Sequence, residues 1–191
     1  MASLVLFDFD HTLYRRDSLL DFSKFHLGNQ FYMGIFKLFP MLIGFKLGIL
    51  TSENAKQRYF SYFFGGSSYG DFTASAAKFA RQQMPKHLDK NLLEKLLGHV
   101  SAGHKVYIVT ASMPEWIAPW SHQYGISVIG TEPEIENGKL TGNFATPNCK
   151  GIQKTIRIGQ QIDLSQYDEI IVYGNGTGDR EMLQLAKKAS S

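Results

Sequence analysis

The chain has a single cysteine, Cys149, so no internal disulfide can form. Absent disulfides favour a reducing compartment, and a cytoplasmic location is expected. Net charge is also small: 20 Lys and Arg against 17 Asp and Glu give +3. No dense basic run occurs, so nucleic acid is not an expected partner. The apolar run at the N-terminus is short and turns acidic at Asp8, which is not the pattern of a secretion signal. Long hydrophobic runs are scarce too. The best candidate, residues 31–50 (FYMGIFKLFPMLIGFKLGIL), is interrupted by Lys37, Pro40 and Lys46. A membrane span needs about 18–20 nearly unbroken apolar residues. The stretch therefore reads as two helices breaking at Pro40 inside a helical subdomain. The less favoured alternative is an apolar surface that meets a lipid or a membrane interface.

What is present is the material of an ordinary globular protein: 191 residues, 43% hydrophobic and 19% charged. Residues 4–7 (LVLF) form a continuous apolar run, the pattern of a central parallel strand buried on both faces. Helical spacing then takes over. Asp17 or Ser18 can cap one helix, and Thr51 or Ser52 another that ends at Gly65-Gly66. Apolar residues keep helical spacing through Tyr69–Ala80 and Leu88–Val100. Strands return at 105–110 (KVYIVT), 126–129 and 169–174 (EIIVYG), with a hairpin over 134–144 turning at Asn137-Gly138. A helix entered through Gly151 spans 149–160, and a closing helix is predicted over 179–188. This order predicts an α/β fold: a Rossmann-like parallel sheet core with an α-helical cap inserted after the first strand. The expected division is residues 1–14 and 86–191 for the core and 15–85 for the cap.

Ligands of such sheets bind beyond the carboxyl ends of the strands. The first strand ends in Asp8 and Asp10, the second in Thr110-Ala111-Ser112, and the last in a run from Gly174 to Asp179. Lys154 opens the helix between the second and the last. Convergent carboxylates repel unless a cation joins them, and hard oxygen donors suit Mg²⁺. A lysine and glycine-rich amides suit an anion such as phosphate.

DFDHTL resembles the DxDxT motif of the haloacid dehalogenase-like superfamily of phosphohydrolases. VYIVTAS resembles its second motif, CKGIQK the third and YGNGTGDREML the fourth, in the family's order from Leu4 to Leu183. The helical insert resembles the cap of the phosphoserine-phosphatase-like branch, subfamily IB. The resemblance implies a Mg²⁺-dependent phosphatase acting on a small phosphorylated substrate through an aspartyl-phosphate. It assigns Asp8 as nucleophile, Asp10 as general acid and base, Thr110 and the Ala111 amide to the phosphoryl group, and Thr12 to holding the Asp10 loop. Lys154, placed after Gly151 as in GxxK, is preferred to Lys150 as the charge-neutralising lysine. Asp8, Asp10, Asn175 and Asp179 are the implied metal ligands.

Other residues admit plainer readings. Ser112-Met113-Pro114-Glu115 reads as a capping box, Lys150 as a solvated charge and Cys149 as a small buried residue. His11 stands where the family has glycine and is read as a turn residue that can also touch substrate. Asn175 stands where the family has aspartate, which removes one negative charge from the metal site. It also supports a rival reading, a catalytically weak or inactive phosphate-binding protein. The apolar cap segment resembles caps of bacterial phosphatidylglycerophosphate phosphatases, so a lipid phosphate is an alternative substrate. The family continues with one more strand after the fourth motif, whereas this sequence stops at Ser191; either a tail lies beyond it or the sheet lacks an edge strand.

Overall fold

The computed structural model describes residues 3–187, apart from the side chain of Leu42. Strand β1, Leu4–Phe7, is fully buried and lies between β2, Lys105–Val109, and β6, Ile170–Tyr173. Strand β3, Ser127–Ile129, completes a parallel sheet of order β3-β2-β1-β6. Register sets Phe7 opposite Ile108 on one side and Tyr173 on the other, so the three strands end level with one another. Strand alternation divides β1 between two cores. Val5 and Phe7 face an aromatic-rich cluster that includes Phe22, Phe72 and Trp116. Leu4 and Leu6 face a second cluster with Ile158 and Met182.

Four helices follow β1: α1 Ser18–Leu27, α2 Asn29–Lys46, α3 Ser52–Phe64 and α4 Tyr69–Gln82. The expected caps are in place, with Asp17 accepting from the Leu20 amide and Thr51 from the Asn54 amide. Phe22 joins the helices to the sheet side, stacked on Trp116 at 4.9 Å and edge-on to Phe72 at 5.2 Å. Helix α5, Lys90–Ser101, leads into β2; the short α6, Ala118–Ser121, precedes β3.

Strands β4, Pro133–Glu136, and β5, Lys139–Phe144, form the hairpin, with positive φ at Asn137 (49°) and Gly138 (74°) as its tight turn requires. Helix α7, Ile152–Gln161, returns to the sheet.

Two expectations need correction. Pro40 does not break the chain: α2 runs through it without interruption. The stripe Phe31, Ile35, Leu38 and Met41 packs on the core and holds the helix together across the missing hydrogen bond. The closing helix is also shorter than predicted. Helix α8 covers only Arg180–Leu183, after which the chain extends and Lys187 pairs antiparallel with Ile170. Lys188, the last residue of that predicted helix, lies outside the described residues.

Candidate active site

The level strand ends bring the motif residues together around one cavity of about 450 Å³. After Phe7 the chain leaves the sheet at Asp8 and turns back on itself, with the Thr12 and Tyr14 amides both donating to the Phe9 carbonyl. His11 occupies the left-handed region at φ 59°, a conformation glycine adopts more easily. That geometry supports the turn reading, and His11 also borders the cavity.

Asp8 is 8% exposed and Lys154 2%. Lys154 Nζ donates to Asp8 Oδ1 at 2.6 Å, to Asp179 Oδ1 at 2.6 Å and to the Val109 carbonyl at 2.8 Å. One buried ammonium therefore joins the ends of β1, β2 and the loop after β6. Burial works against the Lys154 charge, but the carboxylates of Asp8 and Asp179 outweigh it and raise its pKa. Burial pushes the Asp8 carboxyl up, while Lys154 and a bond from Thr12 Oγ1 at 2.8 Å oppose that push. Thr12 thus holds Asp8, not the Asp10 loop. Asp179 Oδ2 also accepts from the Gly176 amide at 2.9 Å and the Asn175 amide at 3.3 Å. Gly174 permits that approach, because a Cβ there would lie 2.9 Å from Asp179 Cβ.

Asp10 is half-buried and held separately. Its Oδ1 accepts from the Ser18 amide and its Oδ2 from Ser112 Oγ, both at 2.6 Å. Ser18 Oγ donates to Ser112 Oγ at 3.0 Å, and Trp116 Nε1 donates to Ser18 Oγ at 3.0 Å. Burial pushes the Asp10 carboxyl up, Asp17 adds to the effect, and the Ser112 and Ser18 bonds oppose it. Ser112 is therefore not a helix cap; Met113 precedes the following turn and makes no side-chain cap bond. The Thr110 hydroxyl accepts from the Ser112 amide at 3.0 Å and lies 3.4 Å from Asp10 Oδ2. Ala111 lines the cavity, its carbonyl bonded by Thr131 Oγ1 and by Lys56 Nζ.

Lys56 is a residue that sequence reasoning missed. It comes from α3, bonds Asn148 Oδ1 at 2.8 Å and lines the cavity. Lys150 is exposed at the rim, and Cys149 is fully buried. Asn175 also lines the cavity; its Nδ2 donates to the His11 carbonyl at 2.6 Å, so its amide oxygen is the atom that could meet a cation.

Among the described residues no three His, Cys, Asp or Glu side chains cluster as a metal cage. Oxygen groups nonetheless line one cavity: the Asp8 and Asp179 carboxylates, the Asn175 amide and Asp10, whose carboxyl is held apart by Ser18 and Ser112. Such a set fits Mg²⁺, which takes one or two carboxylates and keeps water for its other positions.

The model of the family described as haloacid dehalogenase-like hydrolase matches residues 5–184. The chain belongs to that family. Protein CicA of Caulobacter vibrioides is 31% identical over 193 residues, covering 96% of this chain and 82% of that protein. Among solved structures, this hydrolase resembles a protein of unknown function from Bordetella pertussis at TM-score 0.81 and 24% identity, covering 97% of this chain and 88% of the other. It also resembles a phospho-aspartyl intermediate analogue of phosphoserine phosphatase at TM-score 0.60 and 17% identity, covering 97% and 83%. These likenesses relate the fold of this hydrolase to the phosphoserine-phosphatase-like members.

Proposed function

We propose that this hydrolase cleaves a phosphomonoester, with Asp8 as nucleophile and Asp10 as general acid and then base. The observation that carries the reading is the unequal treatment of two neighbouring carboxyls. Burial raises both carboxyls, but Asp8 has the Lys154 ammonium against it to oppose that rise, whereas Asp10 is bonded only to neutral donors and has Asp17 adding to it. Separated environments of this kind assign nucleophile and acid within one carboxyl pair. Asp8 attacks phosphorus, the bond from phosphorus to the leaving oxygen breaks, and Asp10 gives that oxygen its proton. Asp10, now ionised, takes a proton from water as the water attacks the aspartyl-phosphate; the bond to Asp8 breaks and inorganic phosphate leaves. Lys154 holds Asp8 in place and offsets charge on it throughout. Asp8, the Asp10 carbonyl and Asn175 would hold Mg²⁺, with Asp179 behind them. When bound, the ion supplies charge neutralisation between the carboxylate and the phosphoryl oxygens.

Asn175 is the one residue that favours the rival reading, phosphate binding without turnover. The test is release of inorganic phosphate from p-nitrophenyl phosphate and a panel of amino-acid, sugar, nucleotide and lipid phosphates, with Mg²⁺ and with chelator. Asp8→Asn is expected to remain folded and lose turnover, because an amide cannot form the acyl phosphate. Turnover by folded Asp8→Asn protein at the wild-type rate would remove Asp8 as nucleophile.

A further inference from the structure

The cavity has two unlike halves. Its floor carries the carboxylates, Lys154 and the polar loop after β6. Its roof comes from α1, α2 and α3 and is mostly apolar: Leu19, Leu20, Met41, Phe45, Ala55 and Tyr59, with Ser52 and the Tyr59 hydroxyl as its uncharged polar groups. The one roof cation, Lys56, is turned to the core loops through Ala111 and Asn148. A phosphorylated amino acid or sugar needs polar partners for the part of it that is not phosphate. This roof instead suits a phosphate ester with an apolar body.

Helix α2 extends that surface outward. One stripe, Phe31, Ile35, Leu38 and Met41, packs on the core. A second stripe, Tyr32, Phe36, Phe39 and Ile43, is exposed, as are Met33 beside it and Leu47 and Ile49 beyond the helix end. Phe36 is 82% exposed, Ile49 74%, Leu47 69% and Met33 62%. A helix apolar on opposite faces is normally buried on both. Here Tyr32 has the Lys24 ammonium 5.6 Å from its ring centroid, while the rest of the outer face stays exposed and forms a patch well beyond the scattered apolar residues of ordinary surfaces. Phe45 and Leu20 are half-exposed and line the cavity mouth, so the patch and the roof are continuous.

Charge points to the occupant. Between Asp21 and Glu53 there is no acidic residue, while Lys24, Lys37 and Lys46 lie in that interval. An apolar face flanked by lysines and free of acids complements an anionic lipid surface. No helix is long and apolar enough to cross a membrane among the described residues, so α2 would lie on the bilayer.

Resting on the phosphomonoesterase reading, we infer that the substrate is a lipid phosphomonoester, hydrolysed while it sits in an anionic membrane. The outer face of α2 docks on the bilayer, the headgroup phosphate reaches the floor, and the adjoining apolar part of the lipid lies under Met41 and Phe45.

The experiment uses the full chain with Mg²⁺. Vesicle binding is measured by flotation on phosphatidylcholine alone and on phosphatidylcholine mixed with phosphatidylserine. Phosphate release is measured from dioleoyl phosphatidic acid in the mixed vesicles. The soluble arms are monomeric dihexanoyl phosphatidic acid, phosphoserine and p-nitrophenyl phosphate. The expected result is binding to the anionic vesicles, weakened by salt, with faster release from the vesicle-borne lipid than from any soluble arm. Phe36→Glu combined with Phe39→Glu changes two exposed side chains outside the cavity. It should lower vesicle partitioning on the order of a hundredfold, lower release from vesicles with it, and leave p-nitrophenyl phosphate hydrolysis and melting unchanged.

Faster release from phosphoserine than from the vesicle-borne lipid, or vesicle binding indifferent to the double substitution, overturns the proposal and leaves the phosphatase reading standing. A dimer in solution that the double substitution dissolves also overturns it, because a second copy would then cover α2. Silence in every arm, p-nitrophenyl phosphate included, overturns the phosphatase reading and the proposal together.

Discussion

Lys154→Met isolates the central element of the site. The side chain is 2% exposed, and two carboxylate oxygens lie 2.6 Å from its ammonium. Methionine fills similar space and removes the charge, so Asp8 and Asp179 face each other without a cation. Removing one partner of a buried ion pair costs about 3–5 kcal/mol, since the remaining charge is left uncompensated. For a chain of this size each 1 kcal/mol moves Tm by about 2–4 °C, so a fall on the order of 10 °C is expected.

The dependence on pH distinguishes this cause from poor packing. In the wild type the Lys154 pKa is raised above its ordinary 10.5. Its contribution is therefore complete below about pH 10.5 and is lost only as pH climbs through the higher folded value. In the variant Asp8 keeps the upward push of burial and loses the ammonium that opposed it. Its folded form then binds a proton that the unfolded chain releases, so the deficit against wild type shrinks as pH falls and grows as it rises. Thermal melts of both proteins from mildly acidic to mildly alkaline buffer measure this directly. Lys150→Met, an exposed change, is the control and should stay within about 0.5 kcal/mol. A Lys154→Met protein that melts with wild type, or a deficit that does not vary with pH, would refute the argument.

Asn175→Asp replaces a donor to the His11 carbonyl with an acceptor and adds negative charge, so it should melt lower without metal and gain more from added Mg²⁺; equal Mg²⁺ titrations of the two proteins would show that residue 175 does not touch the ion. Ser112→Ala removes a donor to Asp10 and leaves the Ser18 O–H without its acceptor, at a cost of about 1–3 kcal/mol in melts; turnover should fall about tenfold if Asp10 must be held to act, and an unchanged rate would show that Ser112 positions nothing. Lys56, surrounded by Asp10, Asp17, Cys149 and Lys150, is pushed down to about 8 by burial. The unfolded chain then binds more protons between about pH 8 and 10.5, and stability from this group rises with pH there, by up to about 3 kcal/mol; Lys56→Met should lack that rise, and parallel melting curves across the window would contradict it.

The legible part of the site is the part written on strand ends. A buried strand followed by acid, as at Asp8, has few explanations, and three strand ends with polar motifs in one order, with Lys154 opening the helix between the last two, leave fewer. Caps and the tight turn were legible for the same reason: Asp17, Thr51 and Asn137-Gly138 act on backbone within three residues of themselves. What escaped depends on distant partners. Ser112 carries a credible local pattern for a cap, yet its hydroxyl bonds Asp10, 102 residues away. Lys56 is one lysine among many on an amphipathic helix; only folding brings it to Ala111 and Asn148, 55 and 92 residues on.

Pro40 joins the local and distant cases. Locally it removes one helical hydrogen bond and disfavours helix before it, which argues for a break. The carbonyl left without its donor belongs to Phe36, on the exposed face, where water can satisfy it. The packed stripe on the opposite face supplies the stabilisation that keeps the helix whole. A proline tolerated because its orphan acceptor faces outward also fixes which way α2 faces. The continuous helix carries Met41 and Phe45 to the cavity and leaves Phe36 and Phe39 outside. A break at Pro40 would have separated the cavity roof at Met41 and Phe45 from the exposed apolar stripe, and the continuous apolar surface on which the proposed lipid substrate depends would be lost.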